Sequence, residues 1–182
     1  MIRVTTAVAR GDDEAADEWW RRGQDMAKMF SAPHKLAQLA FSRLPADPSR
    51  HYPHDARRQA EEFLSHSDDL WHWAASCRLW AAVGAAAAGD WQSAERRASE
   101  AIAQLREDGN WETLWRALEV YGRIHYKQSD YEPALSAFNE AARVLDEIVK
   151  TMDNEDERRS YCEHPQARSL AEARQRIVEL VA

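Results

Sequence analysis

The clearest signal for the fold is the segment YEPALSAFNEAARVLDEIVKTM, residues 131–152. Its apolar residues recur at alternating intervals of four and three, the spacing of one face of an α-helix. They are Ala134, Phe138, Ala141, Leu145, Ile148 and Met152. Asp130 stands at the position of a helix N-cap, and Pro133 lies in the first turn, where its missing N–H costs little. The segment therefore predicts an amphipathic helix.

A second helical stripe lies directly upstream of this segment. Its members are Trp111, Leu114, Trp115, Leu118, Tyr121, Gly122 and His125. Only Lys127-Gln128-Ser129 separates the two stripes, so the chain must reverse its direction between them. Residues 109–152 are therefore predicted to form an antiparallel helical hairpin.

Residues 67–108 follow the same plan one step earlier. A helix capped by Ser67 runs to a break at Gly89-Asp90, where a second helix begins. In register, Gly89-Asp90-Trp91 matches Ser129-Asp130-Tyr131 at a period of 40 residues. A helical hairpin has an apolar face that it cannot bury alone, so this repeat predicts hairpins that stack around a shared core.

The two ends of the chain are less regular. Residues 1–66 contain looser helical pairs interrupted by prolines, and we predict irregular N-terminal helices or degenerate repeats there. Residues 153–182 predict C-terminal capping helices. The apolar face of the last one comprises Leu170, Ala173, Ile177 and Leu180, and its polar face Glu172, Arg174, Gln175, Arg176 and Glu179. We expect residues 1–182 to form a single all-α domain.

Composition supports this fold class and excludes several functions. The chain has 182 residues, of which 45% are hydrophobic, with only 6 Gly and 6 Pro. Its net charge of −7 argues against a nucleic-acid partner, which normally requires a basic surface. No apolar run is long enough for a membrane span or a signal peptide. The two cysteines, Cys77 and Cys162, imply no disulfide framework, so we expect a cytoplasmic protein without a membrane partner.

The sequence contains no motif for catalysis or metal binding. H-E-x-x-H, C-x2-C, Walker and G-x-S-x-G patterns are absent, and His51, His54, His66 and His72 lack ligand spacing. The acidic run Asp12-Asp13-Glu14 is typical of a helix N-terminus. We therefore expect no enzymatic activity, no metal and no cofactor.

The second hairpin resembles a tetratricopeptide repeat (TPR). The motif residues are Leu118-x2-Tyr121-Gly122-x2-His125 and Asp130-Tyr131-x2-Ala134-x3-Phe138-x2-Ala141. Residues 67–108 match less well, since Ala98 replaces the aromatic residue and Arg78 a hydrophobic one. Small residues at Ala82 and Gly122 are expected to let adjacent helices approach closely. The 40-residue period is similar to the long repeats of kinesin light chains and of bacterial signalling ATPases and transcription activators.

This resemblance implies a TPR-like α-solenoid whose concave groove is lined by the first helix of each hairpin. The groove positions that it assigns are Ser76, Leu79, Val83 and Ala86 in the first hairpin, and Arg116, Glu119, Arg123 and Tyr126 in the second. Such a groove suits a peptide with hydrophobic residues and an acidic group; alternatively, the arginines are solvated surface charges.

Two classes of function follow from the resemblance. We expect a non-catalytic adaptor or scaffold module that binds a protein or peptide partner. The alternative is a sensory module that binds a small ligand between repeats and controls a partner domain. Self-association is also possible, because an N-terminal hairpin without a cap would leave an apolar face open.

Overall fold

A computed structural model describes residues 12–29 and 71–181 of the chain. Within these ranges the regular elements are α-helices, with no strand. They are α1 (Asp13–Met29), α2 (Trp71–Ala87), α3 (Trp91–Glu107), α4 (Trp111–Lys127), α5 (Tyr131–Lys150), α6 (Glu155–Cys162) and α7 (Pro165–Val181). The expected all-α class is confirmed for these residues. Most of the segment 1–66 lies outside them.

The chain divides into two compact units, Met1–Gly89 and Asp90–Ala182. In the described part of the first unit, α1 buries Trp20 and exposes Met26 and Met29. Most of α2 from residue 74 to residue 85 is buried. The boundary between the units falls within the predicted hairpin 67–108, whose assembly as one repeat stays a prediction.

Helices α3, α4 and α5 begin at intervals of twenty residues, each on an aromatic residue. The first residues are Trp91, Trp111 and Tyr131. The connection before each of these helices contains one residue with positive φ, immediately before the N-cap. These residues are Gly89 (φ 78°), Gly109 (φ 63°) and Ser129 (φ 63°). One left-handed residue thus ends each helix and turns the chain into the next.

The N-cap of α5 differs from those of α3 and α4. The side chains of Asp90 and Asn110 each accept a hydrogen bond from the backbone N–H three residues on, at 3.2 and 3.1 Å. Pro133 stands at that position in α5 and has no N–H, so Asp130 makes no side-chain cap bond. Its Oδ2 lies instead 3.1 Å from Nδ1 of His125. A side-chain pair therefore holds the turn between α4 and α5.

In the second unit, α4 packs against both α3 and α5, and α7 packs against α5. Glu95, near the start of α3, lies 4.0 Å from His125, near the end of α4. Gly122, in the second half of α4, meets Phe138 in the first half of α5. Successive helices from α3 to α5 therefore run in opposite directions.

Gly122 provides the closest approach between α4 and α5. A Cβ atom at this position would stand 2.5 Å from Cε1 and 2.7 Å from Cδ1 of Phe138, well inside van der Waals contact. The Phe138 side chain is fully buried, as is the neighbouring Ala134. The expectation that a small residue here permits close helix packing is confirmed.

The C-terminal helices α6 and α7 lie along α4 and advance in the same direction. Trp115 Nε1 donates a hydrogen bond of 3.2 Å to the Tyr161 hydroxyl. Farther along, Arg123 Nη2 donates one of 2.6 Å to Ser169 Oγ. Both pairs are separated by 46 residues in sequence, so the two segments keep a constant register.

The last helix covers α5 with part of its predicted apolar face. Leu170 and Ile177 are buried, and Arg174 Nε donates a hydrogen bond of 2.6 Å to Asn139 Oδ1 of α5. Leu180, which the sequence pattern places on the same apolar face, is 57% exposed. The Asn139–Arg174 contact and the antiparallel direction place Leu180 opposite the first turn of α5, where little remains to cover it. The predicted polar face, Glu172, Arg174, Gln175, Arg176 and Glu179, is exposed.

We predict that Gly122→Ala lowers the free energy of unfolding by about 1–2 kcal/mol. Overpacking at this distance from Phe138 costs about 2–3 kcal/mol, which exceeds the roughly 1 kcal/mol that alanine gains over glycine in a helix. Urea denaturation followed by circular dichroism measures the change. Phe138→Leu should make room for the added methyl group, so the double variant should lose less than the sum of the two single losses. Additive losses would contradict a steric role for Gly122.

The left-handed turn position predicts effects of opposite sign at two connections. A Cβ at Gly109 meets nothing within 4 Å, so Gly109→Ala should cost only backbone strain, about 1 kcal/mol. Ser129→Gly should remove the same strain and stabilise the fold by about 0.5 kcal/mol. Thermal unfolding of both variants provides the test, and a shift of the same sign in both would rule out this account.

Candidate functional site

The strongest candidate for a functional surface is the α4 polar face, formed by Glu112, Arg116, Glu119 and Arg123. These residues follow one another at intervals of three or four, so they share one side of α4. The contacts with Tyr161 and Ser169 show that this side faces α6 and α7. The structure thus brings together three of the predicted groove residues, Arg116, Glu119 and Arg123.

Glu119 and Arg123 form a buried ion pair. Arg123 donates hydrogen bonds to Glu119 Oε1 from Nε at 2.9 Å and from Nη2 at 2.7 Å. The two side chains are only 4% and 16% exposed, and Arg123 also bonds Ser169 of α7. A buried carboxylate requires such a partner, and loss of one member leaves the other charge desolvated. This pair therefore fastens α7 to α4 as well as lining the α4 polar face.

Glu112 and Arg116 form a more accessible pair nearer the start of α4. Arg116 Nη2 donates a hydrogen bond of 2.6 Å to Glu112 Oε1, and the other carboxylate oxygen accepts from the Tyr161 hydroxyl. The Arg116 guanidinium also lies 5.1 Å from the centre of the Trp115 ring. The Arg116 side chain is 23% exposed and that of Glu112 is 49% exposed. Four side chains thus form one continuous contact between α4 and α6.

The surroundings of this contact favour the uncharged forms of Tyr161, which lies on α6, and of His164, which lies on the link to α7. Burial, followed by the hydrogen bond to Glu112, raises the pKa of Tyr161 from 10.0 to about 12. Burial, followed by the positive charge of Arg116, lowers the pKa of His164 below its usual 6.5, and Glu112 partly opposes this. Both groups are therefore neutral at pH 7.

A second polar cluster surrounds His125 at the turn between α4 and α5. The imidazole is almost completely buried, with Nδ1 on Asp130 and Nε2 4.0 Å from Glu95 Oε1. The Tyr121 ring meets it edge-on at 4.5 Å between centroids. Burial, followed by the charges of Glu95 and Asp130, raises the pKa of Tyr121. In the sequence His125 stands only as a motif residue. Pro133, three residues after Asp130, is the signal that the Asp130 carboxylate makes no cap bond and can bind His125.

The remaining predicted groove residues lie in different surroundings. Tyr126 is half-buried at the end of α4, with its ring 5.9 Å from that of Tyr131. In the first compact unit, Leu79 and Val83 of α2 are buried, and Ser76 and Ala86 are half-buried. Their participation with α4 in one groove stays a prediction.

The described residues contain no evident metal centre. Between residues 12 and 29 and between residues 71 and 181, no three or more His, Cys, Asp or Glu side chains are grouped to hold a metal ion. Of the histidines considered as ligands, His51, His54 and His66 lie outside the described residues, as does the side chain of His72. Cys77 and Cys162 are both free, and burial raises the pKa of Cys77 to about 12, so this thiol is protonated.

No helix in the described part of the chain is long and apolar enough to cross a membrane. No protein-family model matches the sequence, and no curated protein matches it. The similarity to TPR proteins therefore depends on the motif residues quoted above.

We predict that Tyr161 ionises late in an alkaline titration of tyrosinate absorbance. Because the fold favours its protonated form, the stability that it contributes is complete below pH 10 and is lost as the pH rises toward about 12. Tyr161→Phe should remove one late component, and denaturing the wild-type chain should return that component to the ordinary range of tyrosine. An unchanged titration in the variant would contradict the assignment.

Proposed function

We propose that this chain is a non-catalytic, TPR-like interaction module that binds a protein or peptide partner in a groove lined by α4. The observation that carries the proposal is the regular series from α3 to α5, in which each helix begins twenty residues after the previous one and follows the same left-handed turn. Arrays of helical hairpins extend by repeating such a unit, and they commonly bind partners along a concave face. The parallel course of α4 and α6–α7 supports the same arrangement, since first helices of successive TPR hairpins run parallel.

The α4 polar face favours a partner that carries a carboxylate. Both arginines of this face pair with a glutamate, and Arg116 is the more accessible of the two, since its side chain is 23% exposed and that of Arg123 is 16% exposed. Its planar guanidinium stacks on Trp115 and suits bidentate recognition of a carboxylate. Tyr126, at the end of α4, is half-buried and offers a contact for an apolar side chain.

A second proposal is a sensory module that takes a small polar ligand between α4 and α7. Within the described residues, one buried polar atom of α4, Arg116 Nε, and one of α7, Gln166 Oε1, have no hydrogen-bond partner. The first is a donor and the second an acceptor, and a polar ligand is one way to satisfy such groups. A thermal-shift screen of small metabolites against the whole chain tests this proposal.

The peptide-binding proposal is tested by selecting a displayed random-peptide library on the whole chain. We expect enriched peptides to combine acidic and hydrophobic residues, and Arg116→Gln with Tyr126→Ala to weaken binding about tenfold or more. Arg96→Gln is the matched control, because Arg96 also pairs with a glutamate four residues away but lies on α3. Arg123 is unsuitable for this test, since its substitution leaves Glu119 buried without its cation.

Fluorescence anisotropy with the selected peptides measures the affinities, and circular dichroism verifies that each variant is folded. Peptides that bind the double variant as tightly as the wild type would contradict the site. Absence of any enriched peptide, together with a specific stabilising metabolite, would favour the sensory module.

A further inference from the structure

Helix α6 is only weakly attached to the rest of the second unit. It has eight residues, Glu155–Cys162, and none of them is buried. A helix of this length is not stable by itself in water, so its persistence depends on tertiary contacts. Segments with few buried contacts open locally at a lower free energy than the global fold does.

Tyr161 provides the main polar contact between α6 and α4. Its hydroxyl accepts from Trp115 Nε1 and donates to Glu112, whose other oxygen holds Arg116. The Arg116 Nε atom is buried beneath this contact and has no hydrogen-bond partner among the described residues. In the closed state, therefore, the chain's own α6 occupies the N-terminal half of the α4 polar face.

The helix after α6 is anchored independently. Its buried side chains are Ala167, Leu170 and Ile177. Arg123 also bonds Ser169, near the start of α7. Since short connections flank α6 on both sides, at residues 151–154 and 163–164, α6 can leave α4 while α7 remains in place. The opening would then be confined to about residues 155–164.

We propose that α6 is a strap that opens locally and thereby exposes an interaction surface formed by Glu112, Trp115 and Arg116. Departure of Tyr161 frees the indole N–H of Trp115 and uncovers the Nε–H of Arg116. Two donors, one of them on a cation, become available beside the Glu112 carboxylate, which keeps the hydrogen bond from Arg116 through its Oε1. The exposed surface therefore fits a carboxylate of a partner peptide. The identity of this partner rests on the proposed function, whereas the opening of α6 does not.

Hydrogen exchange measured by mass spectrometry tests the opening in the whole chain, without a partner. Amides of α6 should exchange faster than those of α5 and α7. Tyr161→Phe should accelerate α6 a further tenfold or so, the usual effect of losing a hydrogen bond to a charged group, and leave α7 unchanged. Ser160→Ala, an exposed neighbour on the same helix, is the matched control and should have little effect. Equal exchange rates in α6 and α7, or faster exchange of all helices together in Tyr161→Phe, would contradict a local opening of α6.

Chemical labelling tests the exposed surface. An arginine-selective dicarbonyl reagent should label Arg116 several times faster in Tyr161→Phe than in the wild type, with no change at Arg96. A short glutamate-rich peptide in excess should protect Arg116 in that variant. If Arg116 is labelled at the same rate in Tyr161→Phe and in the wild type, α6 does not cover the proposed surface. If the glutamate-rich peptide does not slow the labelling of Arg116, the surface does not prefer carboxylates. If α6 opens as predicted but no peptide from the library binds, the proposed function is refuted and the opening of α6 is not.

Discussion

The second unit depends on the close contact between Gly122 and the ring of Phe138. Because no Cβ intervenes, the backbone of α4 lies against a fully buried aromatic side chain of α5. This contact sets the rotation of α4 about its axis, and with it the direction in which every other side chain of the helix points. Because the Gly122 side of α4 packs against α5, the charged residues at 112, 116, 119 and 123 face α6 and α7. The geometry of the candidate site thus follows from a packing constraint about a quarter turn away around the same helix.

The consequence is that α4 is surrounded by protein on nearly all sides and must bury charge. Glu119 tolerates burial because Arg123 donates two hydrogen bonds to it, and Arg123 in turn finds Ser169. Glu112 and Arg116, one to two turns earlier, keep some contact with solvent, and Tyr161 of α6 bonds the Glu112 carboxylate. The polar face therefore changes along its length from a structural ion pair to an accessible one.

Much of the fold is predictable from the sequence. The apolar stripe of residues 131–152, the break at Gly89-Asp90 and the short connection 127–129 predict these helices, and the small side chain of Gly122 predicts a packing position. The twenty-residue interval is also present in the sequence, at Trp91, Trp111 and Tyr131, and the predicted period of 40 residues is twice this interval. The burial of Glu119 was not predictable, because an i,i+4 pair of opposite charges looks the same on a solvated helix face as at a helix interface. That distinction requires the position of α7, which is set by tertiary contacts 46 residues away in sequence.

The contrast between α6 and α7 links stability to the proposed role in binding. Apolar burial holds α7, so its attachment is non-directional and does not depend on any one hydrogen bond. The polar contact of α6 with α4 relies on one tyrosine hydroxyl between an indole and a carboxylate, so a single displacement of Tyr161 breaks both of its hydrogen bonds. A ligand that offers Arg116 a carboxylate competes with that contact without having to disrupt the core. Because α6 is weakly attached, an external ligand can replace it on the α4 polar face while the rest of the unit stays folded.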